Sequence, residues 1–206
     1  MSTPETDLDL RAAGGNLVQR DGEVYFISDF LVPPEASRFS AVLQQELAWQ
    51  QETIVIAGKR MLVPRLVCWY GDTGAVYRYS GVEHHPLPWT ASLEDLKECL
   101  QRCVGCEFNS VLGNYYRSGD DSMGWHADKE RELGTNPTIA SLSFGAERRF
   151  LLRHNKTRET VQLNLMSGSL LVMGGRLQHH WRHCVPKSRA GSGARINLTF
   201  RKIITA

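Results

Sequence analysis

The sequence lacks several features that mark specialised classes of protein. Its 206 residues contain no apolar run of about 18 residues, so no membrane-spanning helix is expected. The first seven residues, Met1 to Asp7, are acidic and have no apolar stretch, so no secretory signal is expected. There is no internal repeat and no low-complexity tract. An apolar content of 42% and a charged content of 22% are ordinary for one globular domain.

The sequence has few cysteines, and its positive and negative charges nearly balance. Five cysteines, an odd number in a chain of this length, indicate reduced thiols and predict a cytoplasmic (nucleoid-associated) or nuclear protein. Cys99, Cys103 and Cys106 offer only three local zinc ligands, so structural thiols are favoured over a zinc site. A net charge of +2 does not by itself indicate nucleic-acid binding, which would have to come from local basic patches.

The spacing of apolar residues predicts two helices in the first half of the chain. One spans about 34–48 and follows two prolines, and the other is capped by Ser92 and carries leucines on one face. A short strand at Val24–Ile27 precedes them, and a hairpin with its turn at Ala57-Gly58-Lys59 lies between them. Residues 1–20 are predicted to form a flexible arm, and residues 21–206 a single domain.

Beyond Gly105 the pattern changes to short strands separated by glycine, asparagine or proline. They are predicted at Ser110–Tyr116, Thr138–Phe144, Arg149–Arg153, Val161–Leu165, Ser169–Met173 and Arg195–Ile203. Many short strands with turn residues between them favour a jelly roll or β-sandwich. The predicted fold class is therefore α+β, with helices ahead of an all-β core.

The stretch from Asn114 to Asp128 contains the pair His126 and Asp128, one residue apart. In extended backbone these side chains point to the same side, so an imidazole nitrogen and a carboxylate oxygen can converge on one point. Two histidines and one carboxylate form the facial triad of non-haem Fe(II) oxygenases, which leaves coordination positions open. A His-x-Asp triplet alone is weak support, since most such triplets are solvated loop residues.

The third ligand is sought among four downstream histidines. His154 lies among arginines and a lysine that would repel a cation. His179, His180 and His183 lie together after an apolar strand, and spacing alone leaves His180 and His183 as candidates.

Polar and apolar residues alternate without exception along the last predicted strand. Arg195, Asn197, Thr199 and Arg201 lie on one face, and Ile196, Leu198 and Phe200 on the other. An ordinary surface strand would show the same alternation. Beside a metal site, however, two arginines inside a jelly roll need buried anions, and a dicarboxylate supplies two.

These residues resemble the AlkB family of Fe(II)/2-oxoglutarate-dependent nucleic-acid dealkylases, in the branch of the human DNA-repair homologues. The resemblance covers about residues 24–203 and is carried by four blocks: Pro64 to Asp72, Asn114 to Glu130, Ile139 to Ala146, and His183 to Arg201. Arg-x-Asn-Leu-Thr-Phe-Arg after a His-x-Asp jelly roll is the most specific of them. The resemblance implies a double-stranded β-helix (jelly-roll) core over about 108–204 and a nucleotide-recognition lid hairpin over about 50–90.

The resemblance also implies the roles of individual residues. It selects His183 as the third metal ligand after His126 and Asp128, and it implies 2-oxoglutarate contacts at Asn114, Tyr116, Arg195, Asn197, Thr199 and Arg201. Arg201 is expected at the distal carboxylate, and Arg195 at the metal-chelating end. The implied cosubstrates are 2-oxoglutarate and O2, and the implied cofactor is Fe(II).

For the substrate, the resemblance implies contacts from Tyr77, Tyr79, Glu130 and Arg65. The two tyrosines would hold a flipped base against His126, although core packing of a hairpin is the alternative for them. Glu130 would accept a hydrogen bond from an exocyclic amine. Ala57 stands where the duplex-repairing homologue inserts a bulky aromatic residue, which favours single strands here unless Met61 or another residue takes that role.

The expected activity is thus oxidative demethylation of 1-methyladenine and 3-methylcytosine in DNA by a monomer, with RNA as a further substrate. Arg65, Lys59, Arg60, Arg148, Arg149, Arg153, Lys187 and Arg189 are available for phosphate contacts. One alternative is the same iron chemistry on RNA, a protein side chain or a lipid. The other is a binding module with a degenerate site, against which the intact triad and both arginines argue.

Overall fold

The computed structural model describes residues 15–56, 58–79, 82–188 and 192–204, and for strand residues 54–56, 59, 77–79 and 82–84 it describes the backbone alone. The described strands are Glu23–Ile27 (β1), Thr53–Ile56 (β2), Lys59–Leu62 (β3), Leu66–Gly71 (β4), Tyr77–Tyr79 (β5), Val82–His84 (β6), Ser110–Tyr116 (β7), Met123–His126 (β8), Ile139–Gly145 (β9), Arg148–His154 (β10), Thr160–Leu165 (β11), Leu170–Gly174 (β12), Trp181–Val185 (β13) and Arg195–Arg201 (β14). The helices are Pro33–Glu46 (α1), Ala91–Val104 (α2) and Leu177–His180 (α3), with a 3₁₀ turn at Arg131–Leu133.

Two antiparallel sheets form the jelly roll. The larger has the order β1-β12-β9-β14-β7-β4, and the smaller has the order β11-β10-β13-β8. A cluster with residues from both sheets, including Ile139, Leu152 and Trp181, fills the space between them. The predicted fold class, an α+β protein with a jelly-roll core, is confirmed.

Helices α1 and α2 cover the outer face of the larger sheet. Leu43 of α1 and Leu96 of α2 belong to the same apolar cluster as Leu142 and Leu198 of the sheet. The side chain of Thr90 caps α2 by accepting a hydrogen bond from the Leu93 N–H, so the expected cap at Ser92 is wrong. Ser92 lies inside the first turn, where its hydroxyl donates to Glu46.

Strand β14 is buried on both faces. Ile196, Leu198 and Phe200 pack toward the helices, and the polar residues of the strand point the other way, into the jelly roll. The surface-strand alternative is therefore excluded, because all seven residues of the strand are buried.

Two hairpins form the region expected to be the lid. The β2–β3 hairpin is anchored beside the larger sheet, since Gln50 and Val67 exchange two backbone hydrogen bonds of 2.8 Å. Strands β5 and β6 pair as a second hairpin. Ala57, which the sequence places in the turn of the first hairpin, lies outside the described residues.

The end of the predicted N-terminal arm packs against the domain. Residues 1–14 lie outside the described residues, but Val18 is 2% exposed and belongs to the core between the sheets. Residues 15–20 are therefore part of the domain. Within the described residues, no helix is long and apolar enough to cross a membrane.

Candidate metal and cosubstrate site

His126, Asp128 and His183 converge at the inner face of the smaller sheet. Strands β8 and β13 pair so that His126 and His183 are direct partners, and their ring centroids lie 4.2 Å apart. Asp128 follows β8, and its Oδ1 is 3.8 Å from Nε2 of His126. One ligand atom from each of the three residues lies within 4.8 Å of the others. This is the two-histidine, one-carboxylate arrangement that the sequence predicts.

The hydrogen bond made by the His126 ring leaves its Nε2 nitrogen available to bind a metal. Nδ1 of His126 lies 2.8 Å from the Gly124 carbonyl and donates to it, so Nε2 keeps its lone pair. The Asp128 backbone N–H donates to the amide oxygen of buried Gln178 at 3.0 Å. Gln178 therefore positions the backbone of Asp128, and no sequence motif indicated this role.

The electrostatics favour a neutral imidazole beside a carboxylate. Burial, with the nearby His126, lowers the pKa of His183 to about 3, so its ring is uncharged at neutral pH. Burial would raise the pKa of Asp128, but the positive charge of the adjacent Arg201 helps to outweigh that effect, and this pKa lies below its ordinary value. A deprotonated carboxylate and neutral imidazoles are the forms that ligate a metal.

Arg201 lies at the metal end of β14. One of its guanidinium nitrogens is 3.3 Å from Oδ1 of Asp128, and both side chains are 5% exposed. The expectation that Arg201 lies far from the metal, with Arg195 near it, is wrong. Alternation along a strand predicts which residues share a face, but it does not predict which end of the strand reaches the metal.

Arg195 lies at the opposite end, deep in the larger sheet. It is 1% exposed, it donates to the Ser143 hydroxyl at 2.9 Å, and its guanidinium carbon lies 5.2 Å from the centre of the Tyr116 ring. Burial lowers its pKa to about 10, and two of its nitrogens, Nε and Nη1, are buried without a hydrogen-bond partner. A buried cation with unused donors indicates an anion partner.

An inner pocket joins these groups. It is lined by all three residues of the triad and by five of the six residues predicted to contact 2-oxoglutarate, namely Asn114, Tyr116, Asn197, Thr199 and Arg201. Asn197 is held by hydrogen bonds from its amide nitrogen to the Ser141 hydroxyl and the Leu142 carbonyl, at 2.8 and 2.9 Å. Arg195 shares the strand face but does not line this pocket.

An outer pocket opens from the same three polar residues, His126, Asp128 and Arg201. Its lining includes Arg65 and Glu130, which the sequence assigns to substrate, and Glu52 and Trp69, which it missed. The Nε of Arg65 donates to Oδ1 of Asn114 at 2.6 Å, so one hydrogen bond links the outer pocket to the inner one. For Tyr77 and Tyr79 only the backbone of β5 is described, and the predicted contacts of their side chains lie outside the description.

A second cluster, Asp21, His154 and His180, also brings three ligand atoms together. Its hydrogen bonding differs from that of the triad, because the Thr157 N–H donates to Nδ1 of His154 at 3.0 Å. The proton of a neutral His154 ring is therefore on Nε2, which points at the Asp21 carboxylate 3.3 Å away. This cluster holds the N-terminal segment against the smaller sheet, and His154 has no lone pair to offer there.

One residue in the predicted phosphate-binding set is misplaced. Arg148 is 1% exposed, and it donates to three backbone carbonyls, those of Ser118, Asp121 and Pro186, at 2.7–3.1 Å. It stabilises the loop between β7 and β8 and is not available to a nucleic acid.

The alternative third ligands can be separated by two matched variants. We expect His183→Ala to weaken Mn(II) or anaerobic Fe(II) binding on the order of 100-fold or more, because a triad ligand is lost. His180→Ala removes an equal volume three residues away and is expected to change metal affinity by less than about threefold. Titration with Mn(II), followed by electron paramagnetic resonance, measures the metal affinity of both variants. Equal losses in the two variants would refute the assignment of His183.

Comparisons with known proteins agree with this geometry. The family model described as the 2OG-Fe(II) oxygenase superfamily matches residues 23–201. The DNA oxidative demethylase ALKBH2 of Mus musculus is 39% identical over 181 residues, which cover 82% of this chain and 76% of the mouse protein. The alpha-ketoglutarate-dependent dioxygenase alkB homolog 3 of Homo sapiens is 39% identical over 184 residues, covering 84% of this chain and 64% of the human protein.

The aligned part of the chain spans 57% of the length of ALKBH2 of Bos taurus, at 42% identity over 73% of this chain. The solved structure of OsALKBH1 superimposes with a TM-score of 0.65 at 16% identity, covering 90% of this chain and 98% of that one, which supports the fold. The resemblance found in the sequence is thus confirmed. Because the family model matches most of the chain, and because the mouse relative is aligned over most of both lengths, the chain belongs to the AlkB homologues of the 2OG-Fe(II) oxygenase superfamily.

Proposed function

We propose that this protein demethylates N-alkylated bases in DNA, chiefly 1-methyladenine and 3-methylcytosine, with Fe(II), 2-oxoglutarate and O2. The observation that carries the proposal is the continuity of two pockets across His126, Asp128 and Arg201. One pocket would take a dicarboxylate beside a metal, and the other would take a base next to the same metal. The names of the relatives, DNA oxidative demethylase among them, support the choice of substrate.

The residues of the inner pocket fit both absent groups. His126, Asp128 and His183 would hold the metal, because their ligand atoms converge and the two rings present unprotonated nitrogens. Arg195 does not line the pocket but lies 5.2 Å from the ring of Tyr116, which does, and it would hold the distal carboxylate of 2-oxoglutarate because its two unused buried donors need an anion. Arg201, beside Asp128, would contact the carboxylate at the metal end.

When bound, Fe(II) and 2-oxoglutarate supply oxidising chemistry in which O2 converts 2-oxoglutarate to succinate and CO2 and hydroxylates the N-methyl group. The hydroxymethyl group then leaves as formaldehyde, and the proton of its hydroxyl goes to the base nitrogen. The chain needs no nucleophile of its own. The tasks of the protein are to orient the base, to exclude water and to hold the cosubstrate.

The outer pocket provides groups for base recognition. Val67, Trp69 and Leu112 form apolar walls, and the ring nitrogen of Trp69 donates to the Ala75 carbonyl at 3.3 Å, which fixes the ring. Glu130 would accept a hydrogen bond from the exocyclic amine of adenine or cytosine. Arg65 is hydrogen-bonded to Asn114 and would thereby couple base binding to the cosubstrate pocket. Tyr77 and Tyr79 are proposed to stack on the base.

A single-stranded substrate is favoured by Ala57. A methyl group cannot fill the gap that a flipped base leaves in a duplex, whereas a single strand has little stacking to lose. Exposed basic groups that remain available for the phosphate backbone include Arg60, Arg149 and Lys187, together with half-buried Arg153. A monomer that acts on DNA in the nucleoid or the nucleus, and on RNA as a second substrate, completes the proposal.

Mass spectrometry of methylated oligonucleotides tests the proposal directly. With Fe(II) and 2-oxoglutarate, we expect a loss of 14 Da (one CH2) from 1-methyladenine and 3-methylcytosine strands, fastest for single-stranded DNA. Duplex DNA and RNA of the same sequence are the comparisons. No demethylation of any strand, with succinate still formed, would refute the nucleic-acid substrate and favour a protein side chain. Preference for the duplex would contradict only the inference from Ala57.

Two variants test which arginine holds which end of 2-oxoglutarate. Arg195→Lys keeps the charge but loses the forked donors, and we expect it to raise KM for 2-oxoglutarate on the order of 30-fold while kcat at saturation changes little. Arg201→Lys keeps the charge but loses the forked donors beside Asp128, and it is expected to lower kcat as well. Steady-state succinate formation measures both constants. If Arg195→Lys lowered kcat and Arg201→Lys raised only KM, 2-oxoglutarate would bind in the opposite orientation, with its distal carboxylate at Arg201.

A further inference from the structure

The outer pocket opens between edge strands of the two sheets. Val67 and Trp69 line it from β4, an edge strand of the larger sheet. Met123 and His126 line it from β8, an edge strand of the smaller sheet. A nucleic acid that places a flipped base in this pocket therefore passes over one of these edges, and Trp125 lies on β8 directly beside His126 in the chain.

One extra residue in β8 determines which of its side chains reach the pockets. His126 pairs with His183 and Met123 pairs with Val185, so β8 has two residues between these pairs where β13 has one. This β-bulge brings Met123 and His126 to the same face, although they are three positions apart, and both line the two pockets. Trp125, between them, is left on the opposite face of the smaller sheet, outside the jelly roll.

Trp125 is held on this outer face by two arginines. The guanidinium carbon of Arg153 lies 4.7 Å from the centre of the Trp125 ring, and that of Arg182 lies 5.5 Å from it. The two arginines are direct partners across β10 and β13, and their neighbours Leu152 and His183 are buried, which places the arginines on the outer face. Trp125 nevertheless stays 36% exposed. An aromatic ring that is fixed and still open to solvent can stack on a base.

The outer face of the smaller sheet is basic. None of its four strands contains an aspartate or a glutamate. Arg149 is exposed and lies on the same face as Arg153, because alternate residues of β10 point to the same side. The Nε of Arg182 is buried without a hydrogen-bond partner. A basic face with an open aromatic ring fits a polyanion that carries exposed bases, which is a single-stranded nucleic acid.

We propose that Trp125, with Arg153 and Arg182, binds the unpaired nucleotide next to the flipped base, an inference that rests on the proposed function. The indole stacks on the neighbouring base, and the guanidiniums contact its phosphate. In a duplex the neighbouring base is already stacked and paired, so only a single strand can use this site. The site therefore favours single-stranded substrates through a contact of its own, independently of the residue at position 57.

Fluorescence anisotropy with a labelled single-stranded oligonucleotide tests this site. We expect Trp125→Leu to raise its Kd about tenfold, because one stack between a base and an aromatic ring is lost. Trp125→Phe keeps a ring and should raise Kd by less than about threefold. For a duplex of the same sequence, Trp125→Leu should change Kd by less than about twofold. The Mn(II) affinity should stay unchanged in both variants, which distinguishes a lost contact from damage to the adjacent His126.

The salt dependence of the same binding tests the arginines. Arg182→Gln removes one positive charge from the site, and we expect the slope of log Kd against log salt concentration to fall by about 0.7 for a single strand. Lys97→Gln removes a charge that lies over the Trp89 ring on the far side of the larger sheet. It is the matched control and should leave the slope unchanged.

The outcomes separate this inference from the proposed function. An unchanged single-strand Kd in Trp125→Leu, an equal rise for the duplex, or an equal loss of Mn(II) affinity would overturn the role of Trp125 while leaving demethylation intact. Absence of demethylation by the unmodified protein would instead overturn the proposed function. In that case, single-strand affinity that is lost in Trp125→Leu and kept in Trp125→Phe would still support the nucleotide site, and affinity independent of Trp125 would refute it.

Discussion

The buried pair of Arg201 and Asp128 is the interaction on which the site depends. Both side chains are 5% exposed and lie 3.3 Å apart, and Asp128 is also one leg of the metal triad. Removing two charges from water is costly, and their attraction offsets that cost only when further groups satisfy the remaining donors and acceptors. A metal on Asp128 and a carboxylate beside Arg201 would be groups of that kind, so the pair prepares the site for both ligands together.

The architecture makes this arrangement possible by burying β14 on both faces. Helices α1 and α2 cover the apolar face, and the smaller sheet closes over the polar face. The strand thereby carries a line of polar groups from Arg195, deep in the larger sheet, to Arg201 at the metal. In the proposed function the same geometry would separate the tasks of the site, because the cosubstrate would lie along the strand and the substrate would approach from the outer pocket. The hydrogen bond between Arg65 and Asn114 is the direct link between the two pockets.

The sequence predicted most of the strands, because alternation and turn residues are local signals. The predicted Ser110–Tyr116 has the bounds of β7, and most other strands differ by one or two residues. Strands β8 and β13 were not predicted as strands, although they carry the metal histidines. They are only four and five residues long, and in each a histidine interrupts the apolar positions, so the periodic signal is weak.

The sequence predicts which residues form the candidate site, but it does not predict which end of β14 lies near the metal. Residue types and spacing point to the triad and to the arginine face, yet only the pairing of β14 with its neighbours decides which arginine is near the metal. Arg148 was placed among surface charges because a basic run does not reveal burial. Glu52 and Gln178 carry no motif, and only the fold brings them to the pocket and to Asp128.

Thermal unfolding in the presence of ligands tests most directly whether buried charge prepares the protein for a metal and a dicarboxylate. Mn(II) and 2-oxoglutarate should each raise Tm, and both together should raise it by more than the sum of the separate shifts, because each ligand completes the site of the other. Arg201→Lys should reduce this excess. Strictly additive shifts, or no shift with both ligands present, would contradict the account.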